Sequence, residues 1–142
     1  MHMKDDLVRH YHWLRQYGLN DSHSGNASVR DGEVFWITPT GCCADTLSSG
    51  ELVECRVEGA LGNGASLDAR LHQAVYQANP QVRALLHSHG PYSVAMTMDN
   101  EEFLPADFEG QLYFSRVPVL TIAYDQYVAR APRLVAEVLT DY

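Results

Sequence analysis

The stretch VRALLHSHGP (82–91) runs an aliphatic segment into two histidines and then stops it with glycine and proline. It is too short for an ordinary helix, and Pro80 upstream with Gly90 and Pro91 downstream bound it closely. It therefore reads as a buried strand. Before it, SLDARLHQAVYQANP (66–80) places Leu71, Ala74, Val75 and Ala78 on one helical face. Ser66 or Asp68 can cap that helix, and Asn79 with Pro80 ends it. After the strand, Pro91 suits the first turn of another helix running to about Met98.

Working outward, Leu7, Tyr11, Leu14 and Tyr17 recur at helical spacing, with Asp5 and Asp6 in the first turn and Gly18 placed to stop the helix. NASVRDGEVFWITP (26–39) holds two short runs around Asp31 and Gly32, the signature of a two-residue hairpin. LVECRVEG (52–59) reads as a further strand, VPVLTIAY (117–124) as another, and RAPRLVAEVLTDY (130–142) as a final amphipathic helix. Trp13 and Trp36 are assigned to core packing. Helices alternating with strands and at least one hairpin predict an α/β fold with a mixed sheet covered by helices, as a single domain over 1–142.

The histidine pair carries the chemical signal. Side chains two apart on a strand share a face, so His87 and His89 have α-carbons about 6.6 Å apart, near enough for both rings to reach one ion at about 2.1 Å. His10 and His12 have the same spacing on a predicted helix, where they diverge by about 200°. Two readings stand for H-x-H: a polar strand end, or a chelate for zinc or a similar divalent ion. Gly90 and Pro91 place the pair at the strand's carboxyl end, where α/β sheets tend to bind ligands, and this favours the chelate. Two imidazoles do not complete such a site. Asp68 is the best further carboxylate, its alternative role being an ordinary helix cap. His72 reads as a packing or surface histidine, and His23 as a loop histidine within reach of a ligand.

Composition narrows the partners. The formal net charge is −8, with acidic residues spread along the chain and no basic stripe, so nucleic acid is not an expected partner. No apolar run approaches the roughly 20 residues that span a bilayer. The three cysteines, Cys42, Cys43 and Cys55, are a poor disulfide framework and suit a reducing, cytoplasmic location.

Four segments taken together, GLNDSHSGNASVR (18–30), WITPTG (36–41), SLDARLHQAVYQANP (66–80) and VRALLHSHGPYSVAM (82–96), resemble the class II aldolase/adducin family in order and spacing. The resemblance covers nearly the whole chain. It implies a three-layer α/β/α sandwich around a mixed, mostly antiparallel sheet, usually assembled as a homotetramer with active sites between subunits. It also implies a divalent-metal-dependent lyase that works on a small hydroxyketone, sugar or sugar phosphate through a metal-stabilised enediolate. Zinc is the first candidate metal, with manganese, cobalt or iron as others.

By the same resemblance His87 and His89 are metal ligands and Asp68 is the catalytic acid/base; in a complete site a desolvated carboxylate beside the metal can move its pKa toward working pH. Asn26, Thr40, Gly41 and Ser66 fall where phosphate-using members hold the phosphate. SGN (24–26) and TPTG (38–41) are turns whose amides and hydroxyls suit an anion, although TPTG also reads as a plain strand exit.

The chain departs from the family at several points. Aldolase members usually carry glutamate where this chain has Asp68, the shorter acid being found in the 4-epimerase branch. Leu67 replaces a second serine of the phosphate motif. Glu109 stands roughly where fucose-type aldolases bring a tyrosine across the subunit interface, which makes Glu109 and Tyr113 weak candidates for that acid. The family's third histidine lies beyond the helix that ends here at Tyr142, and none follows His89, so the expectation is a domain whose C-terminal part is missing. An epimerase or dehydratase on the same scaffold, and a non-catalytic adducin-like assembly domain, are the alternatives.

Overall fold

The computed structural model describes residues 2–99 and 102–141. Helix α1 (Met3–Gln16) is followed by strands β1 (Asn26–Asp31), β2 (Val34–Ile37) and β3 (Val53–Arg56), helix α2 (Ala69–Ala78), strand β4 (Ala84–His87) and helix α3 (Pro91–Thr97). Then come β5 (Glu102–Phe103), α4 (Phe108–Tyr113), β6 (Val117–Pro118) and α5 (Tyr127–Thr140). The main sheet runs in the order β3-β2-β1-β4, and β5 pairs with β6 separately. Every one of these ladders is antiparallel.

Alternation along the strands builds two cores. Ala27, Val29 and Trp36 face α1, where they pack with Leu7, Val8 and Tyr11. Phe35, Ile37 and Cys55 face the other way, onto Ala69 and Tyr76 of α2. Helix α5 lies along α2 and forms the outer helical layer on that side. The α/β/α sandwich thus follows from period-two burial in the sheet meeting helices on both faces.

The β1–β2 turn differs by one residue from the sequence expectation. Asp31 pairs with Val34, so Gly32 and Glu33 form the loop. Gly32 has φ +58° while Glu33 does not enter the left-handed region. One positive φ at the first loop position is the type II′ pattern, which asks for glycine there.

Several expectations are corrected. Strand β4 is not buried: among the described residues it is the outer strand beside β1, and its Leu86 is 46% exposed over a groove shared with Met3, Leu7 and His10. The strand also ends at His87, two residues early. The buried face of α2 is Ala69, His72, Val75 and Tyr76, whereas Leu71 and Ala74 turn toward α5 and Ala78 is exposed. Of VPVLTIAY only Val117 and Pro118 form a strand, because their two-residue ladder with β5 offers partners no further along. Helix α5 begins at Tyr127, three residues earlier than expected. Trp13 is exposed, its ring against His10 and under the Arg9 guanidinium. Trp36, by contrast, does pack against the core under α1 as expected, half-buried and with the Lys4 ammonium 4.3 Å above its ring. No helix among the described residues is long and apolar enough to cross a membrane.

Candidate active site

The register of β1 with β4 sets Asn26 opposite His87. On that face of the sheet both side chains point toward the start of α2, where Asp68 occupies the N-cap position. Its carboxylate makes no capping hydrogen bond. It turns inward instead: Oδ2 accepts from Asn26 Nδ2 at 2.7 Å and from His87 Nδ1 at 3.0 Å. Because an ionised carboxylate can only accept, the proton on His87 sits on Nδ1. Oδ1 accepts from the Tyr127 hydroxyl at 3.1 Å.

These donors set the acid's protonation. The hydrogen bond from His87 outweighs desolvation, and with help from Asn26 and Tyr127 it holds the Asp68 carboxyl down at about 2. Burial alone would lift the carboxyl, but here it comes with donors to both oxygens, and these outweigh it. Tyr127 is pushed up to about 12 by burial and by the Asp68 charge, so it stays a donor.

His89 lies beyond the strand end and is held by another device. Its N–H donates to the Leu19 carbonyl at 2.8 Å and to Asn20 Oδ1 at 2.9 Å, while Asn20 Nδ2 donates to the His87 carbonyl at 3.4 Å. One buried amide thereby bridges the two peptide groups flanking Ser88 and takes the place of a neighbouring strand. Gly25, at φ +69°, makes this approach possible, since a Cβ there would collide with the His87 carbonyl oxygen and the Asn20 side chain. The result sets the two imidazoles side by side, with ring centroids 4.7 Å apart and planes at 30°.

Asn26, Thr40, Gly41, Ser66, Asp68, His87 and His89 all line one cleft of about 460 Å³. His23, Cys42, Leu67 and Tyr127 line it too. The cysteines are free thiols, with Cys55 buried. Glu109 and Tyr113 are not brought there: both ride exposed on α4, and neither lines the cleft of their own chain. The expected convergence of loop amides is only partial. The amides of Thr40, Cys42 and Ser66 already donate to carbonyls, and those of His23 and Ser24 to the Asp21 carboxylate. What the loops present is chiefly hydroxyl groups.

His72 is buried among packing residues, its Nδ1 2.7 Å from Ser28 Oγ, which also lies 2.7 Å from the Tyr76 hydroxyl. His10 and His12 are bound separately, to the Asp6 and Leu47 carbonyls. Sequence reasoning missed Asn20 and Tyr127. Asn20 carried a usable signal, a polar residue next to the helix-ending Gly18 and Leu19; Tyr127 carried none.

The donor set bears on a metal. His87 gives its Nδ1–H to a carboxylate and keeps Nε2 free of any hydrogen bond among the described residues, which is how an imidazole is oriented when its second nitrogen binds a metal. The adjacent His89 ring likewise makes no hydrogen bond there. Asn26 Oδ1 is buried without a partner among the described residues, so polar capacity at this spot is unfilled. The two imidazoles therefore fit part of a divalent-metal coordination sphere. Among the described residues no group of three or more His, Cys, Asp or Glu is arranged to enclose an ion.

Comparison with known proteins follows the same line. The profile of the class II aldolase and adducin N-terminal domain matches residues 5–141. The L-fuculose phosphate aldolase of Escherichia coli is 33% identical over 95 residues, covering 66% of this chain and 44% of that protein. The 3-oxo-tetronate 4-phosphate decarboxylase of Haemophilus influenzae is 38% identical over 87 residues, covering 58% of this chain and 41% of that protein. The crystal structure of L-fuculose-1-phosphate aldolase from Thermus thermophilus superposes with a TM-score of 0.89 at 33% identity, covering 99% of this chain and 72% of that one. The chain spans less than half the length of these two curated relatives.

Proposed function

The chain belongs to the class II aldolase and adducin family, and on that premise we propose that it works as a divalent-metal-dependent lyase of the aldolase type on a small hydroxyketone, sugar or sugar phosphate. The observation that carries this reading is the Asp68–His87 hydrogen bond beside the His89 ring, in a cleft that Thr40, Gly41 and Ser66 also line and where Asn26 is joined to the Asp68 carboxylate.

In this reading His87 and His89 hold the ion, zinc or a comparable divalent metal. When bound, it supplies Lewis acidity toward the oxygens of a hydroxycarbonyl substrate. Asp68, ionised at working pH, takes up the proton that the substrate loses and returns it later; the same carboxylate keeps the proton of His87 on Nδ1. Asn20 fixes the spacing of the two rings. The Thr40 and Ser66 hydroxyls and the Gly41 backbone hold the remote end of the substrate, where a phosphate would sit, while Asn26, which the resemblance also assigns there, gives its Nδ2–H to Asp68. Leu67, 70% exposed at the cleft, presents an apolar surface in place of a further hydroxyl. These parts serve aldol cleavage, and also epimerisation or dehydration through the same proton transfer.

The chain acts in the cytoplasm, a reading its free thiols support. It assembles as a homo-oligomer, a tetramer by resemblance. The exposed apolar side chains Tyr92, Met98 and Phe108 on and beside α3 and α4 support this.

Deuterium wash-in tests the activity. Purified chain supplied with zinc and incubated with dihydroxyacetone or its phosphate in D₂O exchanges a carbon-bound proton, and Asp68→Asn slows the exchange by about 100-fold or more. Absence of exchange in a metal-loaded protein overturns the lyase reading and leaves an adducin-like assembly domain.

A further inference from the structure

The Asp68 carboxyl is only 11% exposed and both its oxygens are engaged. Oδ2 is held from two sides by Asn26 and His87, deep against the sheet. Among the described residues Oδ1 has a single donor, the hydroxyl of Tyr127, a half-buried residue of the same cleft. The phenol that donates to Oδ1 and the carboxylate it binds both line the cleft. The first residue of α5 is placed there because α5 packs along α2, whose N-cap is Asp68.

We propose that Tyr127 is a catalytic residue: its hydroxyl relays the proton between substrate and Asp68. The proposal rests on the lyase reading and names a residue that the family resemblance did not supply. When the substrate carbon next to the carbonyl loses its proton, the C–H pair stays with the substrate and is delocalised onto the carbonyl oxygen. The Tyr127 oxygen takes the proton as its own hydroxyl proton moves to Asp68 Oδ1. The substrate gains one negative charge, Asp68 loses one, and the phenol is unchanged. Running the transfer backward reprotonates the substrate. The phenol's high pKa, about 12, fits a group that passes a proton on and does not remain ionised.

The test is a rescue. Tyr127→Phe removes the hydroxyl and keeps the ring. It lowers the rate constant for deuterium wash-in to dihydroxyacetone phosphate by about 100-fold, with KM within about threefold. Adding Asp68→Glu to Tyr127→Phe lengthens the acid by one carbon, about 1.5 Å, so that it meets the substrate itself, and recovers at least about tenfold of the loss. A merely structural tyrosine is not rescued by a longer acid. Exchange by Tyr127→Phe within about threefold of wild type overturns the relay, as does a double variant no faster than the single one.

A second readout needs no turnover. The ultraviolet titration of the tyrosines shows the Tyr127 phenol ionising at lower pH in Asp68→Asn than in wild type, once the carboxylate charge is gone. If no form exchanges deuterium, wild type included, the lyase reading fails; an unchanged phenol titration in Asp68→Asn sinks the Tyr127–Asp68 link separately.

Discussion

Asp68 Oδ2 lies 3.0 Å from Nδ1 of His87, so the acid at the start of α2 determines which nitrogen of a β4 histidine is free. A neutral strand-end histidine can carry its proton on either ring nitrogen. The carboxylate removes that choice and leaves Nε2 as the nitrogen able to bind a cation.

Asn20 is expected to matter as much as a ligand. In Asn20→Ala the His89 N–H keeps only the Leu19 carbonyl and the His87 carbonyl loses a donor, so the spacing of the pair relaxes. Zinc affinity falls by roughly 10- to 100-fold, the range typical for groups that orient ligands. Stability falls by about 1–3 kcal/mol. Chelator competition and urea unfolding measure the two effects; unchanged zinc affinity would show that the amide does not set the pair.

Gly25 and Gly18 make a controlled comparison. Both have positive φ, but a Cβ at Gly18 meets nothing within 4 Å, whereas one at Gly25 strikes the His87 carbonyl and Asn20. Gly18→Ala therefore costs only the left-handed backbone penalty of about 1–2 kcal/mol. Gly25→Ala costs clearly more and loosens β4 from the 18–25 loop. Thermal unfolding ranks the two, and equal losses would contradict the close approach.

Acid sensitivity has a defined origin in His72. Burial holds its pKa at about 4, below the ordinary 6.5. The nearby Asp68 charge pulls it upward and His87 pulls it down, without overturning burial. The folded protein thus binds fewer protons at this site than the unfolded chain. The stability this contributes is intact above about pH 6.5 and is lost as pH falls toward 4, by roughly 3 kcal/mol at most. Unfolding free energies at pH 7.5, 5.5 and 4.5 reveal the slope, and His72→Asn flattens it. A slope identical in the variant would assign the acid sensitivity elsewhere.

Much of the fold was legible because burial in it is periodic. The β1–β2 hairpin, α2 and the first helix are short-range patterns, and each alternates or recurs as its buried face requires. The histidine pair was legible from its two-residue spacing, but the strand ends at His87, and it is the Leu19 carbonyl and Asn20 that hold His89 beside it. What failed depended on distant partners. The exposure of β4 reflects its outer place in the sheet order, which no local pattern encodes. The stretch from Val119 to Ala123 is apolar enough for a strand and lacks a ladder to join.

At the site, Asp68 was found by its position at a helix start. The donors that hold its carboxyl down lie 19, 42 and 59 residues away, in His87, Asn26 and Tyr127, beyond any local pattern. Asn20 acts on His89 across 69 residues. Tyr127 was invisible for the same reason: nothing near it in sequence announces a carboxylate.

The central claim, that His87 and His89 jointly grip a cation beside Asp68, is tested most directly by equilibrium dialysis of the purified chain against zinc at pH 7.5. Wild type is expected to retain about one equivalent per chain or per shared site, and His87→Ala with His89→Ala to retain none while keeping its circular dichroism and unfolding transition. Equal zinc in the two proteins, or none in wild type, would contradict it.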